Sequence, residues 1–176
     1  MNIINPIDIL HLEEIRKGVR KIIEAAAVLD SQDLLVLDIA PQVHNGAKEF
    51  FKKSKVMTLD IDINSGADYI ADLCSDNSHL IPQNMFDIII CTEVLEHTLN
   101  PFNAVKEIHR ILKPNGKAFV STPFNLRIHG PLPDCWRFTV HGLNSLFTEF
   151  TEVNIKEISD KERFLMPIQY HTIATK

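Results

Sequence analysis

One 38-residue segment, residues 86–123, constrains the fold of this chain more than any other feature. It opens with FDIIIC, an apolar run that is too short for a helix and rich in β-branched residues, which predicts a strand buried on both faces of a parallel sheet. Asn100 and Pro101 then supply an N-cap and a first helical residue, and apolar residues follow at helical spacing. Residues 113–116 end this helix, and KAFVST predicts a second buried strand. The segment is therefore a βαβ unit.

The rest of the chain extends this unit into a larger sheet. Apolar or alternating runs predict seven strands in all, at 34–40, 55–62, 68–71, 86–91, 117–122, 151–158 and 170–175. Helical spacing predicts an amphipathic N-terminal helix within residues 1–30, capped by Asn5, and shorter helices at 47–53, 101–112 and 140–147. Residues 151–158 alternate in polarity, as a half-buried strand does, and residues 170–175 could pair with them as an antiparallel partner. This order predicts a doubly wound α/β sheet.

Length and composition limit the functional classes. With 176 residues the chain fits a single domain, 1–176, and a net charge of -5 without a basic patch argues against a nucleic-acid partner. Three cysteines without CxxC spacing, no signal peptide and no long apolar span predict a reduced, cytoplasmic protein with no membrane partner. Neither composition nor pattern separates a monomer from a homodimer.

Polar residues follow the strand at 86–91 directly. Ligands of open α/β sheets bind beyond the carboxyl ends of the strands, so Thr92, Glu93, Glu96 and His97 indicate a site. Glu93 and His97 are four residues apart, but no third ligand is evident in the sequence. Eight dispersed histidines, without HExxH or paired Cys/His spacing, also lead us to predict no metal site.

The segment 86–123 closely resembles the post-strand signature of class I S-adenosylmethionine-dependent methyltransferases, in particular the type 11-like, small-molecule group, which reads roughly FDvvxxxeVLEHxxdPxxxlxEixRvLKPGGxlxxsxP. The resemblance extends upstream to Asp60 and Asp72. It implies a Rossmann-like, doubly wound, seven-stranded, mostly parallel sheet with an antiparallel C-terminal strand, in a three-layer αβα sandwich. It also implies an enzyme that uses S-adenosyl-L-methionine to methylate a small-molecule acceptor.

Carried over by position, the resemblance implies these cofactor-binding residues: Asp38, Ala40, Asp60, Ile61, Asp72, Leu73, Thr92, Glu93 and His97. Asp60 lies 22 residues after Asp38, the separation at which an acidic residue reaches ribose hydroxyls. Asp72 matches the residue for the adenine amino group, and Glu93 faces the methyl end. Ala40 stands where the family has the first glycine of DxGxGxG. A simpler alternative makes Asp60 and Asp72 turn residues, with Asp62 in place of Asp60.

Residues 124–139 correspond to the acceptor side in the resembled enzymes. We expect His129 to act as the catalytic base, since its ordinary pKa suits that role, and Asp134 to orient it. Arg137 could hold a substrate carboxylate or phosphate, and Phe124 and Trp136 are further substrate-binding candidates. The plainer alternative is that Trp136 anchors the loop and Arg137 pairs with a carboxylate.

Two other functions compete with methyl transfer. The altered glycine loop would suit a non-catalytic domain that binds S-adenosylmethionine or S-adenosylhomocysteine as a sensor or partner subunit. A nucleotide-dependent oxidoreductase or epimerase is disfavoured, because the chain lacks both G-x-G-x-x-G and a Tyr-x-x-x-Lys pair.

Overall fold

The computed structural model describes residues 5–41, 46–159 and 165–176. Seven strands form a single sheet: β1 (Leu35–Ile39), β2 (Lys55–Asp60), β3 (Tyr69–Ile70), β4 (Phe86–Thr92), β5 (Leu112–Pro123), β6 (Glu152–Ile158) and β7 (Gln169–Thr175). Three α-helices accompany it: α1 (Pro6–Ala27), α2 (Pro101–Ile111) and α3 (Val140–Leu146). Single helical turns of 3-10 type lie at Gly46–Glu49 and Leu95–His97.

The strand order is β3-β2-β1-β4-β5-β7-β6, and all neighbours are parallel except at β7, which runs antiparallel to both β5 and β6. The chain therefore winds outward in both directions from the junction of β1 and β4. The carboxyl ends of these two strands lie side by side at the point where the winding reverses, which is where ligands bind in such sheets. The predicted sheet, with its antiparallel C-terminal strand, is confirmed.

Strand side chains alternate between two apolar layers. Val36, Ile88 and Ile90 pack on one side with Ile22, Ile23 and Ala26 of α1. On the other side Leu37, Ile89 and Cys91 pack with residues of α2 and α3. Because both faces are covered, β1 and β4 read as continuous apolar runs in the sequence. These are the three layers of the predicted sandwich.

The helices α1 and α2 both begin at the residues that the predicted N-caps indicated. The Asn5 side chain accepts a hydrogen bond from the amide of Ile7 at 3.0 Å, and the Asn100 side chain accepts one from Asn103 at 3.1 Å. A proline follows each cap, and it fits there because the first helical residue has no intrahelical acceptor for an N–H. In the described chain, no helix is both long and apolar enough to span a bilayer.

The prediction of an α-helix at 47–53 is wrong in both the type and the length of the helix. Only the single 3-10 turn Gly46–Glu49 forms, and the chain then runs irregularly into β2. The amides of Lys52, Lys53 and Ser54 all donate to the carboxylate of Asp30, at 2.8 to 3.3 Å. This carboxylate fixes the approach to β2 in a non-helical conformation, which helical spacing alone does not reveal.

β5 starts earlier than predicted. It begins directly after α2, at Leu112 instead of residue 117, and its pairing with β4 shifts register between Phe86 and Ile88. Asn115 within this stretch has a left-handed φ of 65°. The residues predicted to turn the chain therefore form an irregular first part of the strand. The single-domain prediction for 1–176 stays a prediction.

Candidate functional site

A pocket of about 680 Å³ lies at the carboxyl ends of β1, β2 and β4. We call it the donor-side pocket. Its walls come from the loops after these strands and from the loop that follows β5, and they include Ala40, Asp60, Ile61, Asp72, Leu73, Glu93, His97, Leu99, Pro131 and Pro133. The size is typical of a pocket for a ligand of drug or nucleoside dimensions.

Two aspartates stand on the β2–β3 side of the donor-side pocket. Asp60 is the last residue of β2 and is 8% exposed; its Oδ1 accepts the amide of Asp62 at 2.9 Å. Asp72 is exposed, and its Oδ1 accepts the amide of Cys74 at 2.8 Å. One hydrogen bond to each Oδ1 fixes the carboxylate, and Oδ2 of Asp60 accepts no hydrogen bond from the residues that the structure describes. Ile61, Leu73 and Leu99 give this end apolar walls.

Left-handed backbone occurs at both strand ends that face the pocket. Ala40, after β1, has a φ of 52°, and Glu93, after β4, has a φ of 54°. A non-glycine residue pays steric strain in this region, and such residues are concentrated at functional sites. Ala40 therefore makes the turn that glycine makes in the resembled family, and its amide is held by the carbonyl of Leu59 at 2.7 Å.

Asp38 lies beneath the pocket and is not part of its wall. Its carboxylate is buried and accepts the amide of Ala47 at 2.7 Å, at the 3-10 turn after β1. Burial raises the pKa of Asp38 to about 6, more than the hydrogen bond from Ala47 lowers it. Asp38 thus ties the end of β1 to the returning chain.

Glu93 places a buried carboxylate at the opposite end of the pocket. Its Oε1 accepts the Ser121 hydroxyl of β5 and the Gln169 side-chain amide of β7, both at 2.7 Å. Its Oε2 is buried and has no hydrogen-bond partner within the described chain. Burial raises the pKa of Glu93 to about 7, although both hydrogen bonds oppose this.

Glu96, His97 and His129 come together beside Glu93. The Glu96 side chain is fully buried, and burial first, then the Glu93 charge, raises its pKa well above the usual value. His97 Nε2 lies 3.7 Å from Glu96 Oε1, and His129 Nε2 lies 3.9 Å from the same oxygen. The two imidazole rings meet edge to face, with centroids 4.9 Å apart. We call these three residues the Glu96 cluster.

The loop 124–139, which we call the acceptor loop, is held by the ion pair between Asp134 and Arg137. The Arg137 guanidinium binds both oxygens of Asp134, and it also donates to the carbonyls of Leu126, Arg127 and Trp136. This guanidinium, more than any other group, keeps the pKa of Asp134 well below its usual range. Asp134 Oδ2 further accepts the amide of His129 at 2.9 Å and lies 3.1 Å from His129 Nδ1. Burial, the largest effect, lowers the pKa of His129.

The remaining candidates lie outside the donor-side pocket wall. Trp136 is 41% exposed, donates its indole N–H to the carbonyl of Thr98 at 2.8 Å and stacks on Phe138. Phe124 packs edge to face on Tyr170, 5.9 Å between centroids. Thr92 pairs with Ser121 at the end of β4. The structure therefore brings Ala40, Asp60, Ile61, Asp72, Leu73, Glu93 and His97 into one pocket, and places Asp38, Thr92, Phe124, His129, Asp134, Trp136 and Arg137 around it.

Comparison with known proteins gives the family. A family model described as "Methyltransferase domain" matches residues 11–157. The chain belongs to this methyltransferase family. The match confirms the predicted methyltransferase family. The cofactor of this family is S-adenosylmethionine.

Curated relatives match shorter stretches. Ubiquinone biosynthesis O-methyltransferase of Xanthomonas oryzae pv. oryzae is 31% identical over 99 residues, which cover 56% of this chain and 37% of that protein. Across the first relatives, the matched part covers between 16% and 37% of the relative's length. The match is therefore to a domain, and not to the whole of any of these enzymes.

Solved structures share the fold. Burkholderia thailandensis 1,6-didemethyltoxoflavin-N1-methyltransferase, with its substrate and S-adenosylhomocysteine bound, superposes with a TM-score of 0.65 at 16% identity, over 93% of this chain and 78% of that one. The [4+2]-cyclase SpnF superposes with a TM-score of 0.70 at 16% identity, over 90% and 80%. At this identity the likeness concerns the fold alone.

The donor-side pocket fits the chemistry of S-adenosylmethionine. A nucleoside needs carboxylates for ribose and amine groups and apolar walls for the base. Asp60 offers a carboxylate oxygen to which no described residue donates a hydrogen bond. The neighbouring Ile61 is 70% exposed and offers an apolar wall. A sulfonium needs no phosphate-binding loop, so Ala40 in place of a glycine removes nothing that this ligand requires.

Sequence reasoning missed part of this pocket. Leu99, Pro131 and Pro133 line it, but their sequence gives no signal, because each reaches the pocket only through the folding of a loop. The sequence predicts that Glu96 follows a strand. It does not predict that Glu96 lies between two histidines, because His129 is 33 residues further along the chain.

Proposed function

We propose that the chain transfers the methyl group of S-adenosyl-L-methionine to a small-molecule acceptor. The observation that carries this proposal is the arrangement of the donor-side pocket. One pocket of about 680 Å³ is lined by the carboxylates of Asp60 and Asp72 with apolar Ile61 and Leu73 from the β2–β3 side of the sheet, and by Glu93 and His97 from the chain after β4. A nucleoside fits the first group of residues, and the methyl-bearing sulfonium would then lie towards the second.

Each cofactor-binding residue has a role in this proposal. Asp60 Oδ2 would accept the ribose hydroxyls, Asp72 would accept the adenine amino group, and Ile61 and Leu73 would enclose the base. Ala40 would let the backbone approach the ligand. Asp38 and Thr92, behind the wall, would hold the ends of β1 and β4 in position.

On the acceptor side, we propose His129 and Asp134 as the catalytic pair. Asp134 Oδ2 lies 3.1 Å from His129 Nδ1 and would orient the imidazole by its charge, which would leave Nε2 to accept the proton that a hydroxyl or amine loses as it attacks the methyl carbon. The carbon–sulfur bond breaks in the same step and S-adenosylhomocysteine leaves. Because the sulfonium is already activated, most of the acceleration comes from positioning. Phe124, Trp136 and Arg137 would shape the acceptor side.

A second function deserves a test because of one specific observation. The [4+2]-cyclase SpnF shares the fold, so the fold alone does not determine the reaction. A domain that binds S-adenosylmethionine or S-adenosylhomocysteine without turnover, as a sensor or partner subunit, would have the same donor-side pocket.

The setting in which we propose this activity is the cytoplasm. The net charge of -5 and the three free cysteines, one of them exposed, are in keeping with a reducing compartment and with a small-molecule partner in preference to nucleic acid or membrane. We propose a monomer or a homodimer.

Thermal unfolding in the presence of ligands tests cofactor binding. At a hundredfold excess over the dissociation constant, a ligand of the native state stabilises it by about 2.7 kcal/mol, which for a chain of this size raises the midpoint by roughly 5 to 10 °C. We expect such a rise with S-adenosylhomocysteine and S-adenosylmethionine, and none with NAD or NADP. If neither sulfur ligand raises the midpoint, both the enzyme and the sensor are excluded.

A further inference from the structure

The Glu96 cluster joins two chain segments that are distant in sequence. Glu96 and His97 lie in the 3-10 turn Leu95–His97, directly after β4, and His129 comes from the acceptor loop. Each residue presents one ligand atom, and the three atoms lie within 4.8 Å of one another. Among the residues that the structure describes, these three His and Glu side chains are close enough to bind one ion together.

The partners of the two imidazole rings fix their tautomers. His97 Nδ1 lies 2.9 Å from the carbonyl oxygen of Pro133, and a carbonyl only accepts, so Nδ1 carries the proton. His129 Nδ1 lies 3.1 Å from Asp134 Oδ2 without forming a hydrogen bond, and the negative charge of Asp134 favours the proton on that nitrogen. In the neutral imidazole each Nε2 therefore keeps its lone pair, and both Nε2 atoms lie within 4 Å of Glu96 Oε1.

The centre of the cluster consequently lacks a positive charge. Neither carboxylate oxygen of Glu96 has a hydrogen-bond partner in the part of the chain that the structure describes, and the side chain is fully buried. Oε2 of the adjacent Glu93 is likewise buried without a hydrogen-bond partner in that part of the chain. Arg137 contributes charge at a distance, but its N–H groups donate to Asp134 and to three carbonyls. When ionised, these buried carboxylates face one another without a donor, which is costly, and a cation between them removes the cost.

We propose that Glu96, His97 and His129 bind one divalent transition-metal ion, through a carboxylate oxygen and the two Nε2 atoms. Two imidazoles and a carboxylate are ligands suited to Zn²⁺ and its first-row neighbours, and three protein ligands leave a position open. With bonds of about 2.1 Å, a tetrahedral site separates its ligand atoms by roughly 3.4 Å. The 3.7 and 3.9 Å between Glu96 Oε1 and the two Nε2 atoms exceed this by a few tenths of an ångström, and all three ligand atoms lie within 4.8 Å of one another.

The surroundings already have the form of an outer coordination shell. Metal-binding histidines typically donate their second N–H to a backbone carbonyl or a carboxylate, as His97 does to Pro133 and as His129 is placed to do with Asp134. The carbonyl of Glu96 accepts the amides of Cys135 at 2.7 Å and Trp136 at 3.2 Å, which ties the acceptor loop to the turn that carries the other two ligands. The three ligands are thus held together before an ion arrives.

His97 also lines the donor-side pocket, so the ion would lie at its acceptor end. With the ion bound, His129 Nε2 would be a ligand and would not serve as the base; the open position of the ion would receive an oxygen of the acceptor, whose acidity the ion would raise so that its proton is lost to solvent. This extension rests on the proposed function. Metal binding by the cluster does not.

Titration of the full-length, chelator-treated chain with Co²⁺ tests the proposal, followed by its visible absorption and by calorimetry. We expect one ion per chain and an absorption spectrum of low coordination number, distinct from that of the aqueous ion. Glu96→Gln and His129→Asn should each weaken binding at least tenfold, and Asp134→Asn by about 10- to 100-fold through the outer shell. The matched control is His141→Asn, which alters an exposed histidine of α3 and should leave the affinity unchanged.

The proposal is overturned if Co²⁺ shows no saturable binding, or if Glu96→Gln and His129→Asn bind as tightly as the wild type. His129→Asn changes a loop residue and guards against a folding defect in the buried Glu96→Gln variant. Because the readout is the ion itself, a negative result leaves the S-adenosylhomocysteine stabilisation in place, whereas failure of the proposed function would remove that stabilisation and leave Co²⁺ binding intact.

Discussion

Among single residues, Asp60 carries most of the proposed cofactor recognition. Its carboxylate is 8% exposed, fixed by the Asp62 amide, and keeps one oxygen towards the pocket. A hydrogen bond to a charged group contributes about 1.5 to 3 kcal/mol, so Asp60→Asn should weaken S-adenosylhomocysteine binding by roughly 10- to 100-fold in calorimetry. Asp33→Asn, a change at an exposed aspartate, should have no effect. Equal affinity in Asp60→Asn and wild type would remove Asp60 from the site.

Asp38 makes stability depend on pH in a direction opposite to that of most carboxylates. Its pKa is about 6 in the folded chain, above the usual 3.8, so the folded state holds the proton more tightly than the unfolded state. Its contribution is fully present below about pH 4 and is lost as the pH rises through about 6. Wild type should therefore lose up to about 3 kcal/mol relative to Asp38→Asn over this range.

Urea unfolding at several pH values between 4 and 7 measures this difference. Asparagine retains an oxygen for the Ala47 amide, so the comparison isolates the charge. A difference in free energy of unfolding that stays constant with pH would show that Asp38 is not titrating in this window.

At the scale of elements, the acceptor loop depends on Arg137. Lysine cannot reproduce the forked contact with Asp134 or reach the three carbonyls, so Arg137→Lys should cost about 2 kcal/mol of stability and loosen the loop. Hydrogen exchange of the His129 amide, which donates to Asp134, should accelerate. Arg127→Lys is the matched control, since the Arg127 side chain is 58% exposed. If Arg137→Lys leaves the exchange of the His129 amide unchanged but raises KM, Arg137 would instead bind the substrate.

The elements differ in how far the sequence predicts them. The β4–α2–β5 unit could be predicted because its strands are buried on both faces and its helix has a cap and a proline, all of which are local signals. The segment 47–53 could not, because the Asp30 carboxylate that holds it lies more than twenty residues upstream. Local spacing predicted a helix, and a distant side chain prevented it.

At the scale of the whole molecule, the same distinction applies to the site. Asp60, Asp72 and Glu93 each follow a strand, and parallel strands bring their carboxyl ends to one edge, so topology alone places them together. The Glu96 cluster depends instead on how the acceptor loop folds back, through the Glu96 carbonyl and the Asp134–Arg137 pair. No spacing in the sequence contains that information, which is why a third ligand was not foreseen.

Transfer of a labelled methyl group tests the central claim most directly. The chain is incubated with methyl-labelled S-adenosylmethionine and a fractionated pool of small metabolites, and label and S-adenosylhomocysteine are both quantified. The proposed function predicts label in a small-molecule fraction, in equal amount to the S-adenosylhomocysteine formed, and loss of both in Asp60→Asn. Tight S-adenosylmethionine binding with no label transferred to any fraction would contradict it and favour the sensor.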